Sequence, residues 1–434
     1  MSQKPKILNN IRMIDPISSL DSIGSITIEN GRIKEIGEVL DSDKKKGDQF
    51  EVYELNGALC APGFLDIHVH LREPGFEAKE TIESGTKAAV KGGFTTVCAM
   101  PNTDPPADKG TVISYVKEKA AEANNCNVLP IGCITKGRRG EEIAEYGELG
   151  EAGVVGISDD GDTVMNSEVM RRSFEYAINF DLPLLTHCED EDLAKGGQIN
   201  EGYYSTVLGL KGIPCEAEDI IINRDIELAW LTGAKLHICH VSTRNGVEII
   251  RKAKEKGLNI TAEACPHHFS LTDKMAMSFD TFSKVKPPLR SKEDVEEVIK
   301  GLQDDVLDVI ASDHAPHARH EKEVEYDYAP FGISGIETMI PVTLTYLYHE
   351  NLLNIQEIVK KFTANPANVL RLNEPRLQAG DVADLTLIDL DKVKEVKKMD
   401  FFSMGTNNPY IGQELKGWPV MTVVNGDIKY LDLG

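Results

Sequence analysis

The middle of the chain alternates between two patterns, and this alternation narrows the possible folds more than any other feature. Short apolar runs rich in β-branched residues predict buried strands, and most are separated by stretches in which apolar residues recur at helical spacing. Strands and helices alternating over about 250 residues predict an α/β protein with a (β/α)8 barrel of the TIM type. The eight strand-like runs are Leu65–His70, Phe94–Ala99, Val128–Ile134, Gly153–Ile157, Pro183–His187, Ala234–His240, Leu258–Ala264 and Val306–Ala311.

The two ends of the chain predict short strands joined by tight turns. Asn30-Gly31 and Asn425-Gly426 each lie between strand-like segments, and Asn-Gly is a strong signal for a two-residue hairpin turn. Because both ends share this character and the middle does not, we expect the ends to pair into one small domain. The expected division is a composite β-sandwich domain from residues 1–60 and 370–434, and a barrel domain from residues 61–369.

The composition argues against several classes of partner. A net charge of −23 on 434 residues disfavours nucleic acid and anionic membranes, although it leaves room for a small anionic substrate. No apolar run reaches the roughly 20 residues of a membrane span, and we expect no secretory signal. The 8 cysteines are scattered without a Cys-x-x-Cys pair, which predicts reduced thiols and a cytoplasmic location. The polar segment Asp41–Asp48 is expected to be an exposed loop.

Two histidines at the end of the first predicted barrel strand indicate a metal site. His68 and His70 are two residues apart, so both point to the same face of an extended strand. Two neutral imidazoles aimed together suit zinc, and the guanidinium of Arg72 beside them suits a carboxylate. The segment therefore indicates a metal hydrolase for a substrate with a carboxylate, against the alternative of a buried strand with incidental histidines.

Histidine or aspartate follows or ends five of the eight predicted strands, where a barrel carries its functional side chains. Four histidines and two aspartates exceed the three protein ligands of a typical catalytic zinc, so a pair of ions bridged by a carboxylate is the simpler interpretation. The groups concerned are His68 with His70, Asp159 with Asp160, His187, His240 and Asp313.

These groups and their neighbours resemble, in order, the motifs of type I dihydroorotase, a member of the amidohydrolase superfamily. The resemblance covers close to the entire chain. It implies reversible cyclisation of N-carbamoyl-L-aspartate to L-dihydroorotate and water in pyrimidine biosynthesis, with a hydroxide shared by two zinc ions. The matching motifs are His68-Val69-His70-Leu71-Arg72-Glu73-Pro74-Gly75, Pro101-Asn102-Thr103, Asp159-Asp160-Gly161, His187-Cys188-Glu189-Asp190, His240-Val241-Ser242-Thr243, Pro287-Pro288-Leu289-Arg290 and Ser312-Asp313-His314-Ala315-Pro316-His317.

The resemblance also implies which residues hold the metals. His68, His70 and Asp313 would bind the more buried zinc ion, and His187 and His240 would bind the second.

The resemblance further assigns the bridging carboxylate and the proton shuttle. Asp160 would bridge the two ions, and its neighbour Asp159 is the residue most easily mistaken for it. Asp313 would also act as general acid and base, since a carboxylate beside the nucleophile can take its proton and return it to the leaving nitrogen.

Substrate contacts follow from the same resemblance. Arg72 and Asn102 would hold the substrate carboxylate, and His317, Phe331 and Gly332 would contact the substrate from the loop after the eighth strand.

One position departs from the family. Lys286 stands where the family usually has a substrate-contacting asparagine. Lysine can still donate a hydrogen bond and adds charge near an anion, but it can equally point away or signal a shifted specificity.

Some histidines and one loop are interpreted from position alone. His237 lies three residues before His240, so in a strand it faces the opposite side, and we interpret it as a packing residue. The charged run after Asp313, residues 317–328, is expected to be a lid that closes on substrate, against the alternative of a solvated loop.

Two competing functions remain open. The first is another cyclic amidohydrolase, an allantoinase or a hydantoinase, although those relatives need no carboxylate clamp at Arg72 and generally bridge their metals with a modified lysine. The second is a non-catalytic scaffold for a transcarbamoylase, although the retained ligands argue against it. The resemblance implies a homodimer, and association with aspartate transcarbamoylase in some family members.

Overall fold

A computed structural model describes residues 4–40 and 50–433, so the expected loop Asp41–Asp48 lies outside the described residues. The strands within these residues are β1 Lys6–Asp15, β2 Leu20–Glu29, β3 Arg32–Gly37, β4 Glu51–Glu54, β5 Leu59–Pro62, β6 Phe64–Val69, β7 Phe94–Ala99, β8 Asn127–Pro130, β9 Leu184–Thr186, β10 Ile199–Asn200, β11 Gly212–Ile213, β12 Leu236–Ile238, β13 Ile260–Ala264, β14 Val309–Ile310, β15 Leu385–Glu395, β16 Glu414–Val424 and β17 Asp427–Leu431.

The helices alternate with the strands through the middle of the chain, as the apolar pattern predicts. They are α1 Ile82–Lys91, α2 Gly110–Ala123, α3 Tyr146–Ala152, α4 Ser167–Ala177, α5 Glu191–Ala194, α6 Tyr203–Leu208, α7 Glu216–Thr232, α8 Arg244–Glu255, α9 Pro266–Ser270, α10 Lys292–Gln303, α11 Arg319–Lys322, α12 Met339–Thr343, α13 Ile355–Phe362 and α14 Ala364–Val369.

The strands of the middle region pair in parallel with their neighbours in chain order. One sheet runs β6-β7-β8 and a second runs β9-β12-β13-β14. Isolated parallel bridges from Ile157 to Gly132 and to Leu184 connect the two sheets, and a bridge between Val69 and His314 joins the last strand end to the first. The fourth predicted strand is therefore reduced to bridges at Ile157, while the carboxyl ends of all these strands face the same way.

Helix α8 illustrates how the local sequence places a helix against the strands. Its first turn is capped by Thr243, whose hydroxyl accepts a hydrogen bond from the N–H of Gly246 at 3.0 Å. Val247, Ile250 and Ala253 recur at helical spacing and are buried. Because Thr243 follows the end of β12 closely, the cap fixes where the chain leaves the strand and turns back along it.

The chain ends form one eight-stranded sheet in the order β17-β16-β15-β5-β1-β2-β3, with β4 beside β1. Both predicted hairpins are present, because β2 pairs with β3 and β16 pairs with β17 across the Asn-Gly turns. The strands share one hydrogen-bonded sheet, whereas a sandwich was expected to have two. Residues of the two halves, among them Leu8 and Leu385, still pack into a common apolar core.

Two further expectations concern the cysteines and the membrane. All 8 cysteines are unpaired thiols, and most are buried. Among the described residues no helix has the length and apolar character needed to cross a membrane.

Candidate metal centre

Six predicted ligands meet at the carboxyl ends of the parallel strands. His68 belongs to β6 and His70 follows it, while His187 follows β9 and His240 follows β12. All are buried, as are Asp160 and Asp313, which follow Ile157 and β14. Residues far apart in sequence come together here because parallel strands end at one edge.

The first group of ligands consists of His68, His70 and Asp313. Oδ1 of Asp313 lies 3.5 Å from Nε2 of His68 and 3.0 Å from Nε2 of His70. Ligand atoms that share a tetrahedral zinc ion at about 2.1 Å lie about 3.4 Å from one another. The group therefore has the spacing of three atoms around one ion.

The second group consists of His187 and His240, and Asp160 contacts both groups. Nδ1 of His187 lies 2.9 Å from Nε2 of His240, and Oδ1 of Asp160 lies 3.5 Å and 3.3 Å from these two nitrogens. Asp160 is also 3.4 Å from Nε2 of His68 and 3.4 Å from Nε2 of His70. Its carboxylate thus lies between the two groups, as a bridging ligand would.

The protonation pattern of the histidines favours a cation between these atoms. Nδ1 of His68 is 2.6 Å from a carboxylate oxygen of Glu263, and Nδ1 of His70 is 2.8 Å from the amide oxygen of Asn102. Both partners are acceptors, so each Nδ1 carries the hydrogen and each Nε2 presents a lone pair. Lone pairs that face carboxylate oxygens repel unless a cation lies between them, so the donor set fits zinc.

The carboxylates of the site are held in the ionised form that metal binding needs. Burial opposes ionisation of Asp313. In the absence of a cation, protons on the neighbouring histidines take its place, and the hydrogen bond from His70 and the positive charge of His68 then outweigh burial and keep the pKa of Asp313 below the ordinary value. Asp160 has its pKa lowered in the same way, by His68, His187 and His240 against burial.

Asp159 and Asp160 are adjacent but have different surroundings. The carboxylate of Asp159 accepts hydrogen bonds from the N–H groups of Ile134 at 2.9 Å and Thr135 at 3.1 Å, and a further one from the Thr135 hydroxyl. These contacts tie it to the preceding strand end. Asp160 alone of the two faces the histidines.

Arg72 lies beside the ligand groups with no acidic partner of its own. Its Nε donates to the carbonyl of Pro316 at 3.2 Å, and within residues 4–40 and 50–433 no carboxylate forms an ion pair with it. Burial lowers its pKa to about 10, so the guanidinium stays charged at neutral pH. Asn102 contacts His70 through its amide oxygen, which leaves its amide hydrogens for another acceptor.

The loop residues that are expected to contact the substrate form hydrogen bonds with one another and with Lys284. Nε2 of His317 donates to the carbonyl of Phe331 at 2.8 Å, and the N–H of Gly332 donates to the carbonyl of Lys284 at 2.9 Å. Burial and the positive charge of Arg72 lower the pKa of His317 to about 3, so its ring is neutral. His317 therefore holds Phe331 through Nε2, while its Nδ1 lies 3.4 Å from Oε2 of Glu321, and its contact with substrate stays a prediction.

The expected lid, residues 317–328, is anchored by two buried lysines. Lys284 donates through Nζ to the carbonyls of Tyr326 at 2.7 Å and Asp327 at 3.3 Å. Lys322 donates to the carbonyls of Pro330 at 2.7 Å and Thr281 at 3.0 Å. The loop is thus packed in place over the strand ends.

Lys286, at the position that departs from the family, forms an ion pair with Glu189. Both side chains line a cavity of about 350 Å³ together with His187, Phe331 and Gln198. The lysine is therefore on the same side of the site as the second ligand group.

Two functional residues escaped the sequence interpretation. Glu263 in β13 contacts His68, and its second oxygen lies 3.0 Å from Nε2 of His237. His237, interpreted as a packing residue, therefore supports the carboxylate that orients a ligand. The available signal for Glu263 was an acid inside an otherwise apolar strand, because a buried acid needs a partner.

The expectation that His237 and His240 face opposite sides assumed that both lie in one strand, and the local backbone does not meet this condition. β12 ends at Ile238, and His240 has a φ of 38°, in the left-handed region. Arg72 and Asp313 also have left-handed φ values, of 64° and 44°. Such backbone is unfavourable for residues other than glycine and is concentrated at functional sites, where it redirects side chains.

The fold and the site together define a metal-dependent hydrolase built on the amidohydrolase type of α/β fold. Among solved structures, L-hydantoinase from Arthrobacter aurescens is similar with a TM-score of 0.87 and 24% identity, over 99% of this chain and 97% of that one. D-hydantoinase from Thermus sp. is similar with a TM-score of 0.82 and 23% identity, over 98% and 95% of the two chains. These likenesses concern the fold.

Sequence comparison identifies the family. Residues 57–246 match the family model described as dihydro-orotase-like. Dihydroorotase of Endomicrobium trichonymphae is 47% identical over 422 residues, which cover 97% of this chain and 98% of the relative. Dihydroorotase of Acetivibrio thermocellus is 47% identical over 416 residues, 96% of each chain. The chain belongs to the dihydroorotase family.

Proposed function

We propose that this protein catalyses the reversible cyclisation of N-carbamoyl-L-aspartate to L-dihydroorotate and water, a step of pyrimidine biosynthesis. One observation carries the proposal. The guanidinium of Arg72 is charged, lies beside the ligand groups, and forms no ion pair with a carboxylate among the described residues. A hydrolase of neutral cyclic amides has no need of it, whereas dihydroorotate carries a carboxylate that does not react.

The two substrate ends are held by different parts of the site. Arg72 and the free amide hydrogens of Asn102 bind the carboxylate that does not react, which fixes the ring against the ligand groups. Phe331 and Gly332, positioned by His317 and Lys284, cover the substrate from the loop. This arrangement excludes water and leaves the reacting bond facing Asp313.

Asp313 moves the proton in both directions. Bound zinc lowers the pKa of water to about 7 and polarises a carbonyl. As water adds to the carbonyl carbon, the ionised carboxylate of Asp313 accepts a proton from it and delivers that proton to the ring nitrogen as the C–N bond breaks; ring closure reverses the transfer. Because its pKa lies below the ordinary value, Asp313 is ionised at neutral pH, which is the form that can accept a proton.

We also propose the finer features of this enzyme. His68, His70 and Asp313 would hold one zinc ion, His187 and His240 would hold a second, and Asp160, which contacts both groups, would serve as a ligand to both. The ring of parallel strands is a (β/α)8 barrel spanning residues 61–369, and residues 1–60 and 370–434 form the small composite domain. The enzyme acts in the cytoplasm as a homodimer, with aspartate transcarbamoylase as a candidate partner.

Ring opening of dihydroorotate and dihydrouracil by the zinc-loaded protein tests the proposal. Dihydroorotate should be the best substrate, and dihydrouracil, which lacks the carboxylate, should be opened slowly. Arg72→Met should lower kcat/KM for dihydroorotate by about 10²- to 10³-fold and leave dihydrouracil nearly unaffected, because only the first substrate uses the guanidinium.

Other outcomes would contradict the proposal. Faster opening of hydantoin or allantoin than of dihydroorotate would indicate one of the other cyclic amidohydrolases. A folded protein that binds no zinc and opens no ring would indicate a scaffold.

A further inference from the structure

The ion pair between Glu189 and Lys286 lies in the wall of the cavity beside His187. The glutamate side chain is 4% exposed and the lysine side chain 30% exposed. The carboxylate is thus closed off from solvent, while the lysine remains open to the cavity. Burying an unpaired carboxylate raises the free energy of the folded protein, so the ion pair with Lys286 stabilises Glu189 at this position.

Both residues are fixed by contacts behind them. The N–H of Glu189 donates to Oγ1 of Thr163 at 3.2 Å, and the same hydroxyl donates to the carbonyl of His187 at 2.9 Å. Glu189 is therefore tied to the turn that carries a ligand. On the other side, the carbonyl of Pro287, next to Lys286, accepts from Nε2 of His268 at 3.0 Å. The main chain on both sides of the pair is therefore fixed, and the ion pair with Glu189 holds the ammonium group of Lys286 on the side of His187.

The two forms of the substrate differ in charge. The open chain carries two carboxylates and the cyclic form one, because ring closure consumes a carboxylate and a proton and releases water. Arg72 is assigned to the carboxylate that does not react. A second cation on the far side of the site would favour the open chain, since only that form has a second negative charge.

We propose that Lys286, aimed by Glu189, contacts the reacting end of the open-chain substrate and selects that form over the cyclic one. Lys286 is a specificity-determining residue, and Glu189 is a positioning residue that acts through it. This inference rests on the proposed function, because only that reaction has an open-chain and a cyclic form of the substrate between which Lys286 can select.

A double variant in which both residues of the ion pair are replaced by neutral ones tests the inference. In Glu189→Gln/Lys286→Met both charges are removed together, so no buried charge is left unpaired. KM for N-carbamoyl-aspartate should rise about tenfold, while KM for dihydroorotate should change by less than about threefold. The ratio of the two kcat/KM values must stay at the equilibrium constant, so kcat for cyclisation should rise relative to kcat for ring opening.

Two further variants serve as controls. Lys286→Arg keeps the charge and should retain KM values near those of the unaltered protein. Lys91 and Glu337 form a second buried pair, with side chains 11% and 4% exposed, away from the cavity. Lys91→Met/Glu337→Gln should leave both KM values unchanged.

The outcomes separate this inference from the proposed function. If the unaltered protein interconverts neither form, the proposed function fails. If it interconverts both, but the neutral pair changes the two KM values equally or leaves both unchanged, the role of Lys286 in selection is overturned.

Discussion

At the scale of single residues, the metal site depends on carboxylates that orient histidines as much as on the histidines themselves. Glu263 contacts His68 and His237, and its pKa is held at about 2 by these histidines against the effect of burial. An ionised Glu263 fixes the tautomer of His68 and so directs Nε2 toward Asp160 and Asp313. The same logic applies to Asn102 and His70.

Replacing Asp313 by alanine should separate metal binding from proton transfer. The variant should keep the fold and at least one zinc ion, held by His187 and His240, and lose about 10³-fold in kcat because the proton carrier is gone. Zinc content by mass spectrometry and turnover of dihydroorotate measure the two effects. Asp391→Ala removes an aspartate whose side chain is 87% exposed and serves as the matched control. Activity of Asp313→Ala close to that of the unaltered protein would remove this residue from the mechanism.

At the scale of elements, the loop after β14 is held by buried lysines instead of by apolar packing alone. Lys284 and Lys322 donate to main-chain carbonyls on both sides of the loop. Carbonyl acceptors satisfy the ammonium hydrogens but do not cancel the charge, so burial lowers the pKa of Lys322 to about 7 and of Lys284 to about 8.

This loop should give the protein an unusual dependence of stability on pH. The pKa of Lys322 is lower in the folded protein than in the unfolded chain, so unfolding takes up a proton between about pH 7 and 10. Stability should therefore rise with pH in this window. Relative to Lys322→Met, the unaltered protein should gain about 2 kcal/mol between pH 7 and 9.

Denaturant unfolding at the two pH values, with zinc saturating, measures the effect. Lys292→Met removes a lysine whose side chain is 78% exposed, and this control should show the same pH dependence as the unaltered protein. The predicted quantity is the free energy of unfolding of the unaltered protein minus that of Lys322→Met. If this difference stays constant or falls with rising pH, Lys322 does not have a lowered pKa in the folded protein.

At the scale of the whole molecule, the metal site joins strand ends contributed by residues 68–313. Removing zinc takes its positive charge from between the nitrogens of His68 and His70 and the carboxylates of Asp160 and Asp313. Protons on the histidines replace only part of that charge, which destabilises the closed arrangement of strands. Bound metal stabilises the native state by mass action, by about 4 kcal/mol at a thousandfold excess over Kd.

Removal of metal should accordingly lower the melting temperature by several degrees, and zinc should restore both stability and activity at two equivalents per chain. Calorimetry of the chelated and reloaded protein measures this, with zinc removal verified by mass spectrometry. His320→Ala, which removes an exposed histidine, should still bind two equivalents. An unchanged melting temperature after complete removal of zinc would show that the strand ends do not depend on it.

The sequence alone determined the features that local chemistry controls. The apolar runs and helical spacing predicted the alternation of strands and helices, because burial on a strand or helix imposes a period on the residues themselves. The Asn-Gly pairs predicted two hairpins, because few other residues tolerate that turn. The histidines and aspartates at the predicted strand ends were predicted to lie together as ligands because parallel strands end at one edge.

Only the tertiary structure decided which neighbours complete the site. His68 and Glu263 are 195 positions apart, and nothing in either segment predicts their contact. The choice between Asp159 and Asp160, and the direction of His240, depend on a backbone that has left the strand, where alternation no longer applies. The pairing of Lys286 with Glu189, like the anchoring of the expected lid, arises because folding buries charges and each must find a partner in space.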